Sequence, residues 1–191
     1  PPRIKIDMGG TVEVVDGGYL GYIDNTGTIK QTGGTIEHVV NYFTYVFSGG
    51  LINFMDNYGT QTQTGGVVWK VYNREGSTYT MKDGEITNAT VNKTDTVFVN
   101  LGSFYFYGGT LGGYGSRLIY HGPKGIMRLD GGKFIFTYIT DYFIEAHNVF
   151  YIRGDYDIPL PILLKLHYVH ELSYMYVYNL QEHFSMYQVL I

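Results

Sequence analysis

Apolar residues in the first half of this chain recur at a fixed distance instead of at the 3.6-residue spacing of a helix. Cutting before each Gly-Gly pair gives GGYLGYIDNTGTIKQT from Gly17, GGTIEHVVNYFTYVFS from Gly33, GGLINFMDNYGTQTQT from Gly49 and GGVVWKVYNREGSTYT from Gly65, each 16 residues long. The fourth position is aliphatic (Leu20, Ile36, Ile52, Val68), the seventh apolar (Ile23, Val39, Met55, Val71) and the ninth always Asn (Asn25, Asn41, Asn57, Asn73). The first and third units agree at eight of 16 positions, and a half-unit, GGTVEVVD, precedes the set at Gly9.

Gly-Gly and Asn-x-Gly both suit turns with positive φ, so hairpins in a meander and stacked coils would each write such text. Equal unit length favours stacking. A meander has no physical reason to keep every strand and loop the same, whereas a stacked coil must bring the chain back to the same corner. The fold class expected is therefore all-β, a parallel β-solenoid (β-helix) with 16-residue coils. Its corners are the pairs Gly17 and Gly18, Gly33 and Gly34, Gly49 and Gly50, and Gly65 and Gly66, with Asn25, Asn41, Asn57 and Asn73 as a hydrogen-bonded side-chain ladder. Positions four and seven lie an odd number apart, which places a further corner between them. The second half of the unit alternates between apolar FTYVFS and polar TQTQT, and the polar version predicts a more exposed side.

After residue 82 insertions break the period, and strand-like segments with Gly corners continue to about residue 153. From Asp155 the chain loses its glycines and becomes dense in Tyr, Leu and His. The expected organisation is a β-solenoid domain over 1–154 and an aromatic-rich cap or assembly segment over 155–191. Residues 162–186 fit one helix or two or three strands equally well.

Composition sharpens this picture. Charged residues are 16% of the chain, Gly numbers 26 and Tyr 20, a β-rich and turn-rich balance. A net charge of −4 and the lack of a basic patch argue against a nucleic-acid partner. The absence of Cys excludes a disulfide scaffold and thiolate metal sites. No run of about 18 apolar residues is present, so no helical membrane span is expected. The start, PPRIKIDMGG, reads as processed or trimmed.

The stretches GGYLGYIDNTGTIKQTGG and GSTYTMKDGEITNATVNKTDTVFVNLGSFYFYGGT resemble the Gly-rich repeats of bacterial autotransporter-type surface adhesins, over about residues 9–135. That resemblance implies a parallel β-solenoid passenger displayed outside the cell and used for adhesion and self-association. Phage tail fibres and spikes write similar text, which makes a virion surface the alternative location.

Candidate chemistry is sparse. Arg153-Gly154-Asp155 spells an adhesion tripeptide, for which an ordinary loop is the simpler reading. Asn88 and Asn92 begin glycosylation sequons in a Thr-rich stretch where chance accounts for them. His167, His170 and Glu171 would need a third ligand to hold a metal, and aromatic-rich packing explains them as well, so neither metal nor cofactor is expected. Asp130, Asp141, Glu145, Asp155 and Asp157 are the carboxylates from which a glycan-cleaving pair would have to come, and their spacing singles out none. Thr28, Thr44 and Thr60, with Thr32, Thr64 and Thr80, raise ice binding, but columns four residues apart favour structural Thr ladders. Aromatic runs make both faces of some strands bulky. Tyr45, Tyr105, Tyr107, Tyr138 and Tyr142 are thus either an outward contact surface, usable for self-association or carbohydrate, or bulk buried in irregular coils. The function expected is a non-enzymatic extracellular structural or adhesive protein that self-assembles. The alternative is a phage-type or secreted β-helical protein that binds or cleaves polysaccharide.

Overall fold

The structure is a computed structural model that describes residues 3–88, 95–148, 150–153, 167–168 and 176–178. Among these residues there is no helix, and the strands form one sheet system in which every pairing is parallel. Each strand pairs with the strand two places further along the chain, which generates two long series. One contains β1 (Arg3–Ile6), β3 (Tyr19–Asn25), β5 (Thr35–Asn41), β7 (Leu51–Asn57), β9 (Val71–Asn73), β11 (Thr96–Asn100), β13 (Thr110–His121), β15 (Lys133–Ala146) and β17 (His167–Tyr168). The other contains β2 (Thr11–Val14), β4 (Thr28–Gln31), β6 (Thr44–Phe47), β8 (Thr60–Val68), β10 (Thr78–Thr87), β12 (Ser103–Phe106), β14 (Ile126–Leu129), β16 (Phe150–Arg153) and β18 (Tyr176–Tyr178). Strands β8, β10 and β13 run on past a corner and join both series, so that β7, β8, β10, β13, β11 and β9 close a ring of six.

Register follows the unit length. Tyr22 faces His38 and then Phe54, and Asn25 faces Asn41 and then Asn57. Within β3, β5 and β7 the pairing skips Gly21, Glu37 and Asn53, so each strand bends there into two short faces. A third face is written by β4, β6 and β8. After Thr80 the insertions leave the pairing in place: Tyr79 faces Phe104, and Phe104 faces Met127. Only the paired residues must match the neighbouring turn of chain.

The core is the inner row of all three faces. Ile23, Ile36, Val39, Ile52, Met55, Val68 and Val71 are fully buried, and further along Phe98, Phe104, Phe106, Met127 and Leu129 take over. The change from aliphatic to aromatic packing is tight, with the Phe98 and Phe104 ring centroids 4.2 Å apart and Tyr79 edge-on to Phe98 at 5.5 Å. Part of the aromatic richness read from the sequence is therefore spent inside, on Tyr45, Phe47, Tyr79, Phe98, Phe104, Phe106 and Phe150, where rings carry more buried area per residue than aliphatic side chains.

Two expectations about the third face are corrected. TQTQT is not an exposed side, since Gln61 and Gln63 are fully buried. Tyr45 is not part of an outward surface, since it too is fully buried. In a strand of four residues only parity decides which side chains enter the core. The corner before β6 sets Tyr45 and Phe47 inward, and Thr44 and Val46 outward.

The Gly-Gly corners stack backbone on backbone. At Gly50 φ is +89°, and an added Cβ would meet the Gly34 carbonyl oxygen at 2.3 Å. Gly49 has the Thr32 carbonyl oxygen at the same 2.3 Å. Gly17 also has a positive φ, +76°, but nothing lies within 4 Å of its would-be Cβ. Gly50→Ala is therefore expected to lower stability by more than about 2 kcal/mol, and Gly17→Ala by only about 1 kcal/mol, in chemical denaturation of the two variants.

Candidate functional site

The corner after β3, β5, β7 and β9 is built on Asn because the side-chain amide can satisfy the turn and its neighbours together. Asn25 Nδ2 donates to Asn41 Oδ1 at 2.8 Å, Asn41 to Asn57 at 2.8 Å, and Asn57 to Asn73 at 2.8 Å. The second amide proton goes to the first carbonyl of a second-series strand one turn further on, in β6, β8 and β10: Thr44 O from Asn25 at 2.9 Å, Thr60 O from Asn41 at 3.3 Å, and Thr78 O from Asn57 at 3.0 Å. Each Oδ1 also accepts a proton from its own turn, from Gly27 N–H, Phe43 N–H, Gly59 N–H and the Ser77 hydroxyl in order. All four Asn side chains are fully buried. The ladder is thus a polar network satisfied from end to end inside an apolar core, where unmet groups would be most costly.

Two members escaped the sequence reading. Asn73 Nδ2 donates to Asn100 Oδ1 at 2.9 Å across a 27-residue gap, and Asn100 Nδ2 lies 3.1 Å from His121 Nδ1. Since Asn100 Oδ1 is already an acceptor, its amide N–H faces the imidazole and places Nδ1 in the acceptor role. The signal that could have found them is local: Asn100-Leu101-Gly102 repeats the Asn-x-Gly of Asn25 and Asn57, but off the 16-residue period.

A second buried network runs along the third face. Tyr45 donates its hydroxyl to Gln31 Oε1, and Tyr79 donates to Gln63 Oε1 at 2.7 Å. Gln31 Nε2 reaches Gly34 O and Leu51 O, each at 3.3 Å, while Gln63 Nε2 reaches Gly66 O and Glu85 O, each at 3.2 Å. Burial pushes the Tyr45 and Tyr79 hydroxyls well above their ordinary pKa, so both remain donors. Gln61 stands between Tyr45 and Tyr79 in register, and neither atom of its amide has a partner.

The outer surface carries paired charges. Arg3 contacts Asp24, Arg74 holds Asp56 through Nε at 2.5 Å and a second nitrogen at 3.1 Å, Arg128 meets Asp130 at 2.5 Å, and Arg117 contacts Glu145. His147 Nε2 lies 2.9 Å from Glu145 as well. Burial pushes the Glu145 carboxyl up, but hydrogen bonds from Arg117 and His147 outweigh it and hold the group below its usual range. His38, packed between the Tyr22 and Phe54 rings at 4.6 Å from each, is pushed down by burial against the opposing pull of Asp56 and Asp24.

The remaining candidates separate. Tyr107 is 48% exposed, and its ring is parallel to that of Tyr105 at 6.4 Å, so these two do reach the surface. The side chains of Tyr138, Tyr142, Asp141 and His167 lie outside the described residues, as do Asn92, Gly154, Asp155, Asp157, His170 and Glu171. Asn88 spends both ends of its amide on the fold, donating to Tyr114 O and accepting from Tyr114 N–H at 2.6 Å. Asp130 and Glu145 each sit in their own ion pair. Among the described residues no three His, Asp or Glu side chains group as metal ligands. Among the described residues an outward aromatic cluster that the sequence reading did not single out is Tyr42, Phe43 and Tyr58, 51%, 56% and 43% exposed, at the Asn corner. The chain matches no protein-family model, no curated protein and no solved structure.

The two amide networks predict opposite outcomes for similar substitutions. Asn57→Leu removes a donor to Asn73 and an acceptor for Asn41 and Gly59 N–H, and should cost about 2–4 kcal/mol. Gln61→Leu removes two unpartnered atoms from the core and should hold or raise stability by about 1 kcal/mol. Urea unfolding of both variants against the parent chain checks the pair.

Proposed function

We propose that the chain is a parallel β-solenoid with a non-enzymatic structural or adhesive role outside the cell, at a cell or virion surface, and that its copies associate into filaments or oligomers. The observation that carries this reading is the unbroken Asn ladder from Asn25 to Asn100, continued to His121. A chain that returns to one corner at each turn, and bonds each corner to the next, is stiff along a single axis. The ladder amides in the core are committed to that stiffness, and Asp24, Asp56, Asp130 and Glu145 are each paired with an arginine on the outside. Stiffness along one axis suits a spacer or display element, and the resemblance to autotransporter-type adhesin repeats agrees with it. Solenoid stacking also supplies a route to association, because parallel ladders extend by adding strands in the same register.

A second reading, a polysaccharide binder, is favoured by the exposed Tyr42, Phe43 and Tyr58 cluster. The two readings differ in what they require of a purified sample. Electron microscopy of the chain at micromolar concentration is expected to show filaments or regular oligomers of uniform width. A monodisperse monomer that depolymerises a glycan would replace the structural reading with an enzymatic one.

A further inference from the structure

We propose that the Asn corner carries a stacking site for a neutral pyranose ring, the repeating unit of a glycan chain. The inference deepens the polysaccharide-binding reading, on which it rests, and stands independently of an assembling role. Immediately after the ladder residues, Thr26, Tyr42, Tyr58 and Arg74 fall in one outward column. Their N–H groups bond in turn to the carbonyls of Ile6, Asn25, Asn41 and Asn57, at 2.8, 2.8, 2.7 and 2.9 Å. The Tyr42 and Tyr58 rings stack at 5.1 Å with 17° between their planes. On the other side of Tyr58 comes Arg74, its guanidinium 5.5 Å from the ring centroid and fixed by two bonds to Asp56. Arg74 thereby closes one end of the stack by a cation–π contact.

The opposite end is open. Tyr42 turns its second face toward Thr26, whose side chain is short and whose hydroxyl is bonded back to Ile6 O at 2.8 Å. The next level down is Asp7, which follows Ile6, the register partner of Asn25. Strands in a sheet lie about 4.8 Å apart, so roughly twice that distance separates the Tyr42 level from the Asp7 level, and the short Thr26 side chain is what this column sets between them. The gap is the thickness of one ring plus its contacts, roofed by an aromatic face. Beside it Phe43 stands alone, because its column neighbours Gly27 and Gly59 admit no side chain. An added Cβ would meet Gly10 O at 2.4 Å in the first case and Phe43 O at 2.2 Å in the second.

The chemistry of the rim selects the ligand. A pyranose presents a C–H face that packs on an aromatic ring and hydroxyls at its edge that need mixed donors and acceptors. The notch offers the Tyr42 hydroxyl, the free lone pair of the Thr26 oxygen, and the exposed Asp7 carboxylate with Lys5 2.8 Å away. Nucleotides share the flat shape but bring phosphates toward the exposed Asp7 carboxylate on a chain of net charge −4. A protein partner needs about 800 Å² of surface on each side, well beyond a cluster of three side chains.

The test is an NMR titration of the full chain with cellohexaose, chitohexaose and maltohexaose, following the Tyr42 and Phe43 ring signals and the Thr26 methyl. Saturable shifts with at least one glycan are expected, together with weakening of about tenfold or more in Tyr42→Ala. Thr26→Tyr fills the notch by continuing the stack, so it should abolish binding while the unfolding temperature holds or rises. That pairing separates a lost site from a lost fold. Silence of these signals with all three glycans would overturn the proposal, as would unchanged binding by both variants. Shifts that follow protein concentration and ignore the glycan would also overturn it, by assigning the corner to contact between copies. Filament formation, present or absent, bears on none of these outcomes.

Discussion

A buried amide that must bond upward, downward and sideways leaves the chain only one way to run. Each ladder Asn has its Oδ1 and both amide protons engaged, and for Asn41 and Asn57 the partners are the Asn one turn earlier, the Asn and a Thr carbonyl one turn later, and a backbone N–H of its own corner. A slip of one residue would point the amide outward and set a neighbour such as Asp24, Asp56 or Arg74 in its place, orphaning several buried groups together. The ladder therefore adds to the register that the aliphatic core already sets, because the same slip would turn the inward Ile and Val toward solvent while it broke the chain of amide bonds. Parallel pairing, equal spacing and the glycine corners follow from this constraint. At the glycines, carbonyls of one turn sit against the backbone of the next.

The same logic explains how the fold survives insertions. Between Asn73 and Asn100 the separation grows to 27 residues, yet the amide bond across it is 2.9 Å, nearly the same as between the 16-residue neighbours. What the chain does between corners is free as long as it returns. At Asn100 the ladder passes to His121, whose imidazole nitrogen accepts where an amide oxygen did before. On the outside, where no such rule acts, the columns vary: Thr26, Tyr42, Tyr58 and Arg74 occupy equivalent sites with unrelated chemistry. Variation over a rigid frame is the arrangement in which surface recognition can change without disturbing the fold.

How far the sequence disclosed all this depends on which interaction placed each residue. Gly33, Gly49 and the Asn column were legible because stacking forces equal spacing, and spacing can be read without a structure. The bend between positions four and seven was legible from strand parity alone. Tyr45 and Gln61 were misjudged because polarity suggests exposure, while the direction of a side chain in a four-residue face is set by the corner before it. Gln63 then shows why a polar residue is admitted there: Tyr79 and two carbonyls meet its amide. Asn100 and His121 were hidden by the insertions, and the Tyr42–Tyr58 stack by a column position that the repeat does not conserve in type. Surface contacts between turns, such as Arg74 with Asp56, join residues 18 apart and leave no periodic trace.

The most direct test of the ladder is hydrogen exchange of its side-chain amides, observed by NMR on uniformly labelled protein. Bonded on both protons and buried, the Nδ2 groups of Asn41, Asn57 and Asn73 should exchange as slowly as the backbone amides of β5 and β7, opening only with the fold itself. Exchange at the rate of a solvent-exposed carboxamide, with the backbone amides still protected, would show that the Asn column does not hold the turns together.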